Sequence, residues 1–92
     1  MRFYHGTSLD NVFKMMQTGR IKKNSFFADT VEFAKRYIPK DKPGIVLEVN
    51  FPEILQKHYG RRKKYGQFQH LRPVYILPDN VRPVDTFIPE LP

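Results

Sequence analysis

At 92 residues, the chain has the length of one domain around a single small core, and we expect one domain over residues 1–92. It contains no cysteine, which excludes a disulfide framework, a cysteine-ligated zinc and a thiol nucleophile. The net charge of +7 favours anionic partners: nucleic acid, an acidic protein surface or a phosphate-bearing small molecule. No apolar run reaches the length of a membrane span, and the start "MRFYHGT" has no apolar signal core, so we expect a cytoplasmic protein without a membrane partner.

The first third of the chain predicts a strand followed by an amphipathic helix. "RFYH" is typical of a short strand, and Thr7 or Ser8 can cap the helix that follows. Gly19 stands where a left-handed residue would end that helix. The apolar residues expected on its buried side recur at i, i+3, i+4 and i+7: Leu9, Val12, Phe13 and Met16.

A second strand and a second, short helix follow. "SFFA" predicts the strand, on which Phe26 and Phe27 alternate faces, so at least one of them belongs to the core. Asp29 with Glu32 three residues later predicts a capping box at the start of the helix. The buried side of this helix is predicted to contain Val31, Ala34, Tyr37 and Ile38.

The second half of the chain is richer in strands. "GIVLEVNF" alternates as a strand does, and "PEILQKHYG" fits one further helical turn. "PVYILPDNVRPVDTF" predicts two strands joined by a turn at "PDN". The predicted fold class is therefore α+β, with mostly antiparallel strands and two main helices.

A basic loop is predicted over residues 57–71. No acid occurs between Glu53 and Asp79, whereas that interval holds six lysines and arginines. Aromatic residues are interleaved with the basic ones there, which suits a nucleic-acid backbone with stacked bases or an acidic protein face. A solvated loop with no partner has the same composition. The residues expected to contact a macromolecule are Arg61, Arg62, Lys63, Lys64 and Tyr65.

Common catalytic and metal-binding signatures are missing, and we expect no metal. Three segments nevertheless occur in an informative order: "YHGT" after the first strand, "SFFAD" followed by Tyr37, and "RPVYILPDNVRP" near the end. Together they resemble the ADP-ribosyltransferase fold, in particular its diphtheria-toxin-like branch, which includes the poly(ADP-ribose) polymerases. The resemblance spans roughly residues 3 to 84.

The resemblance implies NAD as a substrate and assigns residues to it. The His5 side chain would hydrogen-bond the adenosine ribose, and the backbone of Gly6 would hold the carboxamide, with Thr7 beside it. Phe26 and Tyr37 would enclose the nicotinamide ring, Phe26 standing where the family usually has a tyrosine. A helix cap for Thr7 and core positions for the two aromatics are the competing interpretations.

The position of the family's catalytic glutamate falls on Arg72. An arginine adds positive charge where positive charge develops as the glycosidic bond breaks, which compromises the usual mechanism. A shift of a few residues brings Gln69 or Gln67 to that position, either of which can hydrogen-bond a ribose but cannot act as a base. A family serine that holds the carboxamide falls on Ala34.

Three hypotheses follow from the resemblance. The first is an NAD-dependent ADP-ribosyltransferase that modifies a protein or nucleic-acid target docked on the basic loop. The second is a catalytically inactive relative that acts as a binding or inhibitory module for nucleic acid or an acidic protein. The third is an RNA-processing relative whose basic residues act on a 2′-phosphate. The small size is compatible with an origin in a phage or mobile element.

Overall fold

The computed structural model of the protein describes residues 1–51 and 66–89 and the backbone of residues 60–63. Its elements, in chain order, are β1 (Arg2–Ser8), α1 (Leu9–Thr18), β2 (Arg20–Ile21), β3 (Ser25–Ala28), α2 (Val31–Ala34) continued by a 3₁₀ turn (Lys35–Tyr37), β4 (Gly44–Asn50), β5 (Gly60–Lys63), β6 (Gln67–His70), β7 (Val74–Tyr75) and β8 (Val81–Phe87). The helical turn predicted from "PEILQKHYG" covers residues 52–60, of which residues 52–59 lie outside the described residues and Gly60 belongs to β5.

The described strands form one six-stranded sheet and one two-stranded ribbon, and all of their pairings are antiparallel. The order in the sheet is β5-β6-β3-β1-β4-β8, and β2 pairs with β7 in the ribbon. Two α-helices accompany these strands in the described part of the chain. The predicted α+β class with mostly antiparallel strands is therefore confirmed.

One face of the sheet carries an aromatic core. Its centre is formed by four buried phenylalanines: Phe3, Phe27, Phe51 and Phe68. The ring centroids of Phe3 and Phe68 are 4.6 Å apart and nearly perpendicular, which sets the positive edge of one ring against the negative face of the other. Met15 of α1 and Ile21 of β2 complete this core, so the first helix and the ribbon cover this face.

The opposite face packs against the second helix. Its small buried cluster consists of Ala28, Ala34, Ile38 and Val46. Gly6 lies beneath this helix, and a Cβ at Gly6 would overlap the carbonyl oxygen of Ala34. A glycine at this position of β1 therefore lets the backbone of α2 approach the sheet.

The buried side of α1 is predicted wrongly: the structure buries Met15 where the sequence pattern predicts Met16. Met15 is the buried residue of α1, whereas Phe13 is 64% and Met16 73% exposed, and Leu9 is exposed as well. One residue rotates a helix by about 100°. The helix therefore packs on the core mainly through Met15, and no described residue covers Phe13 or Met16.

Both ends of α1 agree with the sequence pattern. The Ser8 hydroxyl accepts a hydrogen bond from the backbone N–H of Asn11, so Ser8 is the cap of the two residues considered. Gly19 ends the helix with φ of 72°, and its N–H donates to the carbonyl of Met15. This left-handed conformation strains most residues other than glycine.

The predicted capping box at Asp29 is wrong. The cap of α2 is Thr30, whose hydroxyl accepts a hydrogen bond of 3.1 Å from the backbone N–H of Phe33. The backbone N–H of Asp29 instead donates to the carbonyl of Gly66, which extends the pairing of β3 with β6. Asp29 is therefore hydrogen-bonded just beyond the end of β3, and the helix cap lies one residue later than predicted.

The interpretation of residues 57–71 as a loop is also wrong for its described part. Residues 60–63 and 67–70 pair as strands β5 and β6, with Gly60 opposite His70. The expected pairing of the last two strands needs correction too. The turn at "PDN" exists, but β7 pairs with β2 in the ribbon and β8 pairs with β4 at the sheet edge.

Ion pairs are found on the side of the sheet formed by β4 and β8. Arg82 donates to Glu48 with an Nε–Oε1 distance of 3.0 Å, and these hydrogen bonds hold the pKa of the Glu48 carboxyl below its usual value. Lys35 lies 2.6 Å from Asp85 and, together with the Thr86 backbone N–H, lowers the pKa of that carboxyl. Among the described residues, no helix is long and apolar enough to cross a membrane.

Candidate functional site

The sheet opens between its two central strands. The register joins β1 to β3 at Tyr4 and Ala28, whereas β1 is paired with β4 along its whole length. Because the strands are antiparallel, β1 continues beyond this pair to Thr7 while β3 runs back to Ser25. The residues of these two segments line a cleft of about 710 Å³.

The cleft is formed by the split strands, one side of α1 and the start of the ribbon. The residues that line it are His5, Gly6, Thr7, Asn11, Lys14, Met15, Thr18, Arg20, Lys22, Asn24, Ser25, Phe26 and Tyr37. Its volume falls within the range of about 300–1,000 Å³ that is usual for small-molecule sites. All five residues that the sequence resemblance assigned to a dinucleotide are among them.

His5 bridges the split between the strands. Its Nδ1 lies 2.8 Å from the backbone carbonyl oxygen of Phe26. A carbonyl can only accept, so Nδ1 carries the proton. Burial lowers the pKa of His5, the bond to Phe26 opposes that change, and the charge of Lys22 adds to it. The ring is therefore neutral at pH 7, and its other nitrogen, Nε2, is a hydrogen-bond acceptor.

Phe26 and Tyr37 form the aromatic part of the cleft. Phe27 belongs to the core and Phe26 to the cleft, as the alternation along the strand predicts. The rings of Phe26 and Tyr37 are nearly parallel, 16° apart in plane angle, with centroids 5.7 Å apart. For a flat ring to fit between them, the two ring planes must be about 7 Å apart, which allows two stacking contacts of about 3.5 Å each. In this structure the two rings contact each other, and a guest ring must separate them or lie against one of them.

The hydroxyl of Tyr37 is buried and has no hydrogen-bond partner among the described residues. Burial also raises the pKa of this hydroxyl. A buried hydroxyl without a partner is unfavourable by about 1–3 kcal/mol. Its position at the cleft makes it available to a polar group of a ligand.

Thr7 and Gly6 have structural partners as well as positions in the cleft. The Thr7 hydroxyl accepts a hydrogen bond of 3.1 Å from the side chain of Asn11, which ties β1 to α1. Thr7 is therefore not the cap of the helix. A side chain at Gly6 would overlap the carbonyl oxygen of Ala34, and this packing alone explains why the residue is glycine. Close approach of a ligand is not needed as an explanation.

The cleft is positively charged. Lys14, Arg20 and Lys22 line it, and none of its lining residues is acidic. These three cations form no ion pair with any carboxylate in the part of the chain that the structure describes. The paired carboxylates Glu48 and Asp85 belong to β4 and β8, which lie on the side of β1 away from β3 and the cleft. The charge of the cleft is thus available to an anionic ligand.

The residues assigned to the catalytic position do not line the cleft. Gln69 is paired with Phe26 across β6 and β3, and its side-chain amide donates to the backbone carbonyl of Asn24 at 3.1 Å. Arg72 follows β6, and its carbonyl accepts from Nδ1 of His70 at 2.7 Å. Gln69 thus reaches the rim of the cleft only through the backbone of Asn24.

Three of the five residues assigned to macromolecule binding lie at the far edge of the sheet. Arg61, Arg62 and Lys63 belong to β5, of which the backbone alone is described, and β6 separates them from β3. Lys64 and Tyr65 fall outside the described residues. In the described part of the chain, no group of three potential metal ligands is present.

The sequence carried a signal for the cationic residues that the motif comparison missed. Between Asp10 and Asp29 the chain contains no acid, while Lys14, Arg20 and Lys22 occur there. The signal is weaker than that of residues 57–71 because the cations are spread over a helix, a strand and a loop. The fold brings them to one cleft.

No family model matches the sequence, and searches of the curated proteins and of the solved structures return no match.

Proposed function

We propose that the protein is ADP-ribosyltransferase-like and that its cleft binds NAD or a closely related nucleotide. The observation that carries the proposal is the convergence of His5, Gly6, Thr7, Phe26 and Tyr37 on one cleft. In the sequence they are well separated, since Phe26 follows Gly6 by 20 residues and Tyr37 follows Thr7 by 30. The resemblance requires all five to share one site, and their common position at the cleft supports the proposal.

The chemistry of the cleft suits a ribose, the nicotinamide and the diphosphate of a dinucleotide. The neutral His5 offers an acceptor nitrogen to a ribose hydroxyl, and Phe26 with Tyr37 offers ring faces to the cationic nicotinamide. Lys14, Arg20 and Lys22 supply charge for the diphosphate. Because these cations have no carboxylate partner among the described residues, an incoming diphosphate displaces no internal ion pair.

A transfer reaction would join an acceptor atom to C1′ of the nicotinamide ribose and release nicotinamide. The oxocarbenium-like charge of that step needs a carboxylate nearby, and the described residues that line the cleft include none. The acceptor or a residue outside the described part would have to supply it. The same observation favours the second candidate, a nucleotide-binding module that performs no transfer.

Isothermal titration calorimetry with NAD, ADP-ribose and nicotinamide mononucleotide tests the proposal. We expect NAD to bind, and Lys14→Gln to weaken binding by about two- to fivefold in a salt-dependent manner. The matched control is Lys40→Gln, an exposed lysine that does not line the cleft. Absence of binding by all three ligands would overturn the proposal.

Incubation with radiolabelled NAD and a cell extract separates the two candidates. Label that passes to protein or nucleic acid, and is lost in Tyr37→Ala, supports the transferase. NAD binding by calorimetry without any transferred label supports the binding module.

A further inference from the structure

The ribbon formed by β2 and β7 exposes an arginine and a tyrosine side by side. Ile21 is paired with Val74, and both are buried in the core. Arg20 is paired with Tyr75 at the neighbouring position. Because side chains alternate along a strand, this second pair points away from the core. The Tyr75 side chain is accordingly 64% exposed.

The backbone around Tyr75 is held firmly although its ring is exposed. The side-chain amide of Asn80 donates to the carbonyl of Tyr75 at 2.8 Å, and the N–H of Leu77 donates to Oδ1 of Asn80 at 2.7 Å. The N–H of Ile76 donates to the carbonyl of Gly19 at 2.9 Å. The backbone that carries the ring is therefore already ordered, which reduces the entropy lost when a partner binds.

The ribbon adjoins the cationic cleft. Arg20 belongs to both, since it is paired with Tyr75 and also lines the cleft with Lys14 and Lys22. Tyr75 itself does not line the cleft. The exposed ring of Tyr75 is thus the cross-strand neighbour of Arg20, which shares the cleft with Lys14 and Lys22. These three cations have no carboxylate partner among the described residues.

We propose that the β2–β7 ribbon binds single-stranded nucleic acid, with one unpaired base stacked on Tyr75 and the adjacent phosphates on Arg20, Lys14 and Lys22. Stacking platforms beside cationic grooves are the usual means of binding single strands without sequence preference. In a duplex the bases are already stacked on one another, so none of them is free to stack on the exposed Tyr75 ring. An acidic peptide would be attracted by the cations but has no flat group to match Tyr75.

This inference goes beyond the proposed nucleotide binding and does not depend on it. Tyr75 lies outside the residues proposed to hold a dinucleotide. Tyr75→Ala should therefore leave the calorimetric affinity for NAD unchanged. If NAD, ADP-ribose and nicotinamide mononucleotide all fail to bind but the oligonucleotide binds, the inference stands while the proposed function fails.

Fluorescence anisotropy with labelled oligothymidylate and oligouridylate of about 12 nucleotides provides the test. We expect salt-dependent binding of the single strands that is tighter than binding of a duplex of equal length. Tyr75→Ala should weaken it by about 5- to 100-fold, the range of one lost base stack, and Tyr75→Phe should retain binding within about twofold. Arg20→Gln should lower the slope of log K against log salt by about 0.7.

Two substitutions serve as matched controls. Phe13 on α1 is an aromatic residue with the same 64% exposure as Tyr75, and Phe13→Ala should leave binding unchanged. Arg36→Gln removes one charge outside the cleft and should leave binding unchanged within about twofold. Thermal unfolding of each variant establishes that it is folded.

Four outcomes would overturn the inference. They are no binding of either oligonucleotide, equal binding of duplex and single strand, an equal loss in Phe13→Ala and Tyr75→Ala, and competition by polyglutamate with the same dependence on Tyr75. The last of these would indicate an acidic protein as the partner.

Discussion

The Nδ1–H of His5 donates a hydrogen bond of 2.8 Å to the carbonyl oxygen of Phe26, across the opening between β1 and β3. This side-chain bond satisfies a backbone carbonyl where the two strands have separated. It also fixes the tautomer of a neutral, buried imidazole. One residue thus bridges the split and presents an acceptor nitrogen at the cleft.

Stability should depend on pH through His5. Because burial lowers the folded-state pKa of His5 below 6.5, the unfolded chain binds a proton more readily than the folded chain as the pH falls. The stabilising contribution is complete above the unfolded pKa and is lost as the pH falls toward the folded pKa. We expect the free energy of unfolding, measured by urea titration, to decrease between about pH 7 and pH 5.

His5→Asn tests the assignment, because the asparagine amide can still donate to Phe26 but does not titrate over this range. The variant should show a flatter pH dependence than the wild-type protein. Other titrating groups are common to both proteins and cancel in the difference between the two curves. Parallel curves would show that His5 is not the group responsible.

Tyr37→Phe should separate stability from binding. Removing the buried hydroxyl, which has no partner among the described residues, should leave the free energy of unfolding unchanged or raise it by about 1 kcal/mol. The same change should weaken NAD binding in calorimetry, because the ligand loses the hydrogen bond that the hydroxyl would make to it. Tyr4→Phe is the control, since Tyr4 is half-buried and does not line the cleft. A loss of stability in Tyr37→Phe with unchanged NAD affinity would show that the hydroxyl has a structural role only.

Gly6→Ala should strongly destabilise the fold. Its Cβ would overlap the backbone carbonyl of Ala34, which cannot move without displacing α2, so we expect a loss of about 3 kcal/mol in a denaturant titration. Gly19→Asn is the comparison, because no atom within 4 Å opposes a side chain there and asparagine tolerates a positive φ. Gly19→Asn should therefore cost about 1 kcal/mol or less. Equal effects of the two substitutions would contradict the packing of α2 on β1.

The two adjacent methionines of α1 offer a direct test of how that helix is oriented. Met15→Ala removes a buried side chain from the aromatic core and should cost about 2–5 kcal/mol. Met16→Ala removes an exposed one and should change stability by less than about 0.5 kcal/mol. Thermal or denaturant unfolding measures both. A larger loss of stability in Met16→Ala than in Met15→Ala would support the helix orientation predicted from the sequence pattern instead.

Local rules predicted most of the elements. Alternation in "GIVLEVNF" and the glycine after α1 identified β4 and the helix end, because strand and cap conformations depend on neighbouring residues alone. The same rules failed for α1, where Met15 and Met16 are chemically identical and only the packing partner distinguishes them. They also failed for β2, a strand of two residues that exists because β7 pairs with it.

The candidate site divides in the same way. Motif resemblance found His5, Gly6, Thr7, Phe26 and Tyr37, all of which line the cleft. It did not find Lys14, Arg20, Lys22 or Tyr75, because isolated cations and one tyrosine have no local signature. They become a recognisable surface when α1, β2 and β7 are brought together.

The sequence by itself determined a small basic α+β domain, its main strands, the start and end of its first helix and the absence of cysteine chemistry. These properties follow from composition and from the conformational preferences of short segments. Tertiary structure decided that β1 and β3 separate beyond Tyr4 and Ala28, that this opening is free of carboxylates among its described residues, and that Tyr75 stands beside Arg20. The physical reason is that strand pairing joins residues distant in sequence, and no local pattern specifies the partner.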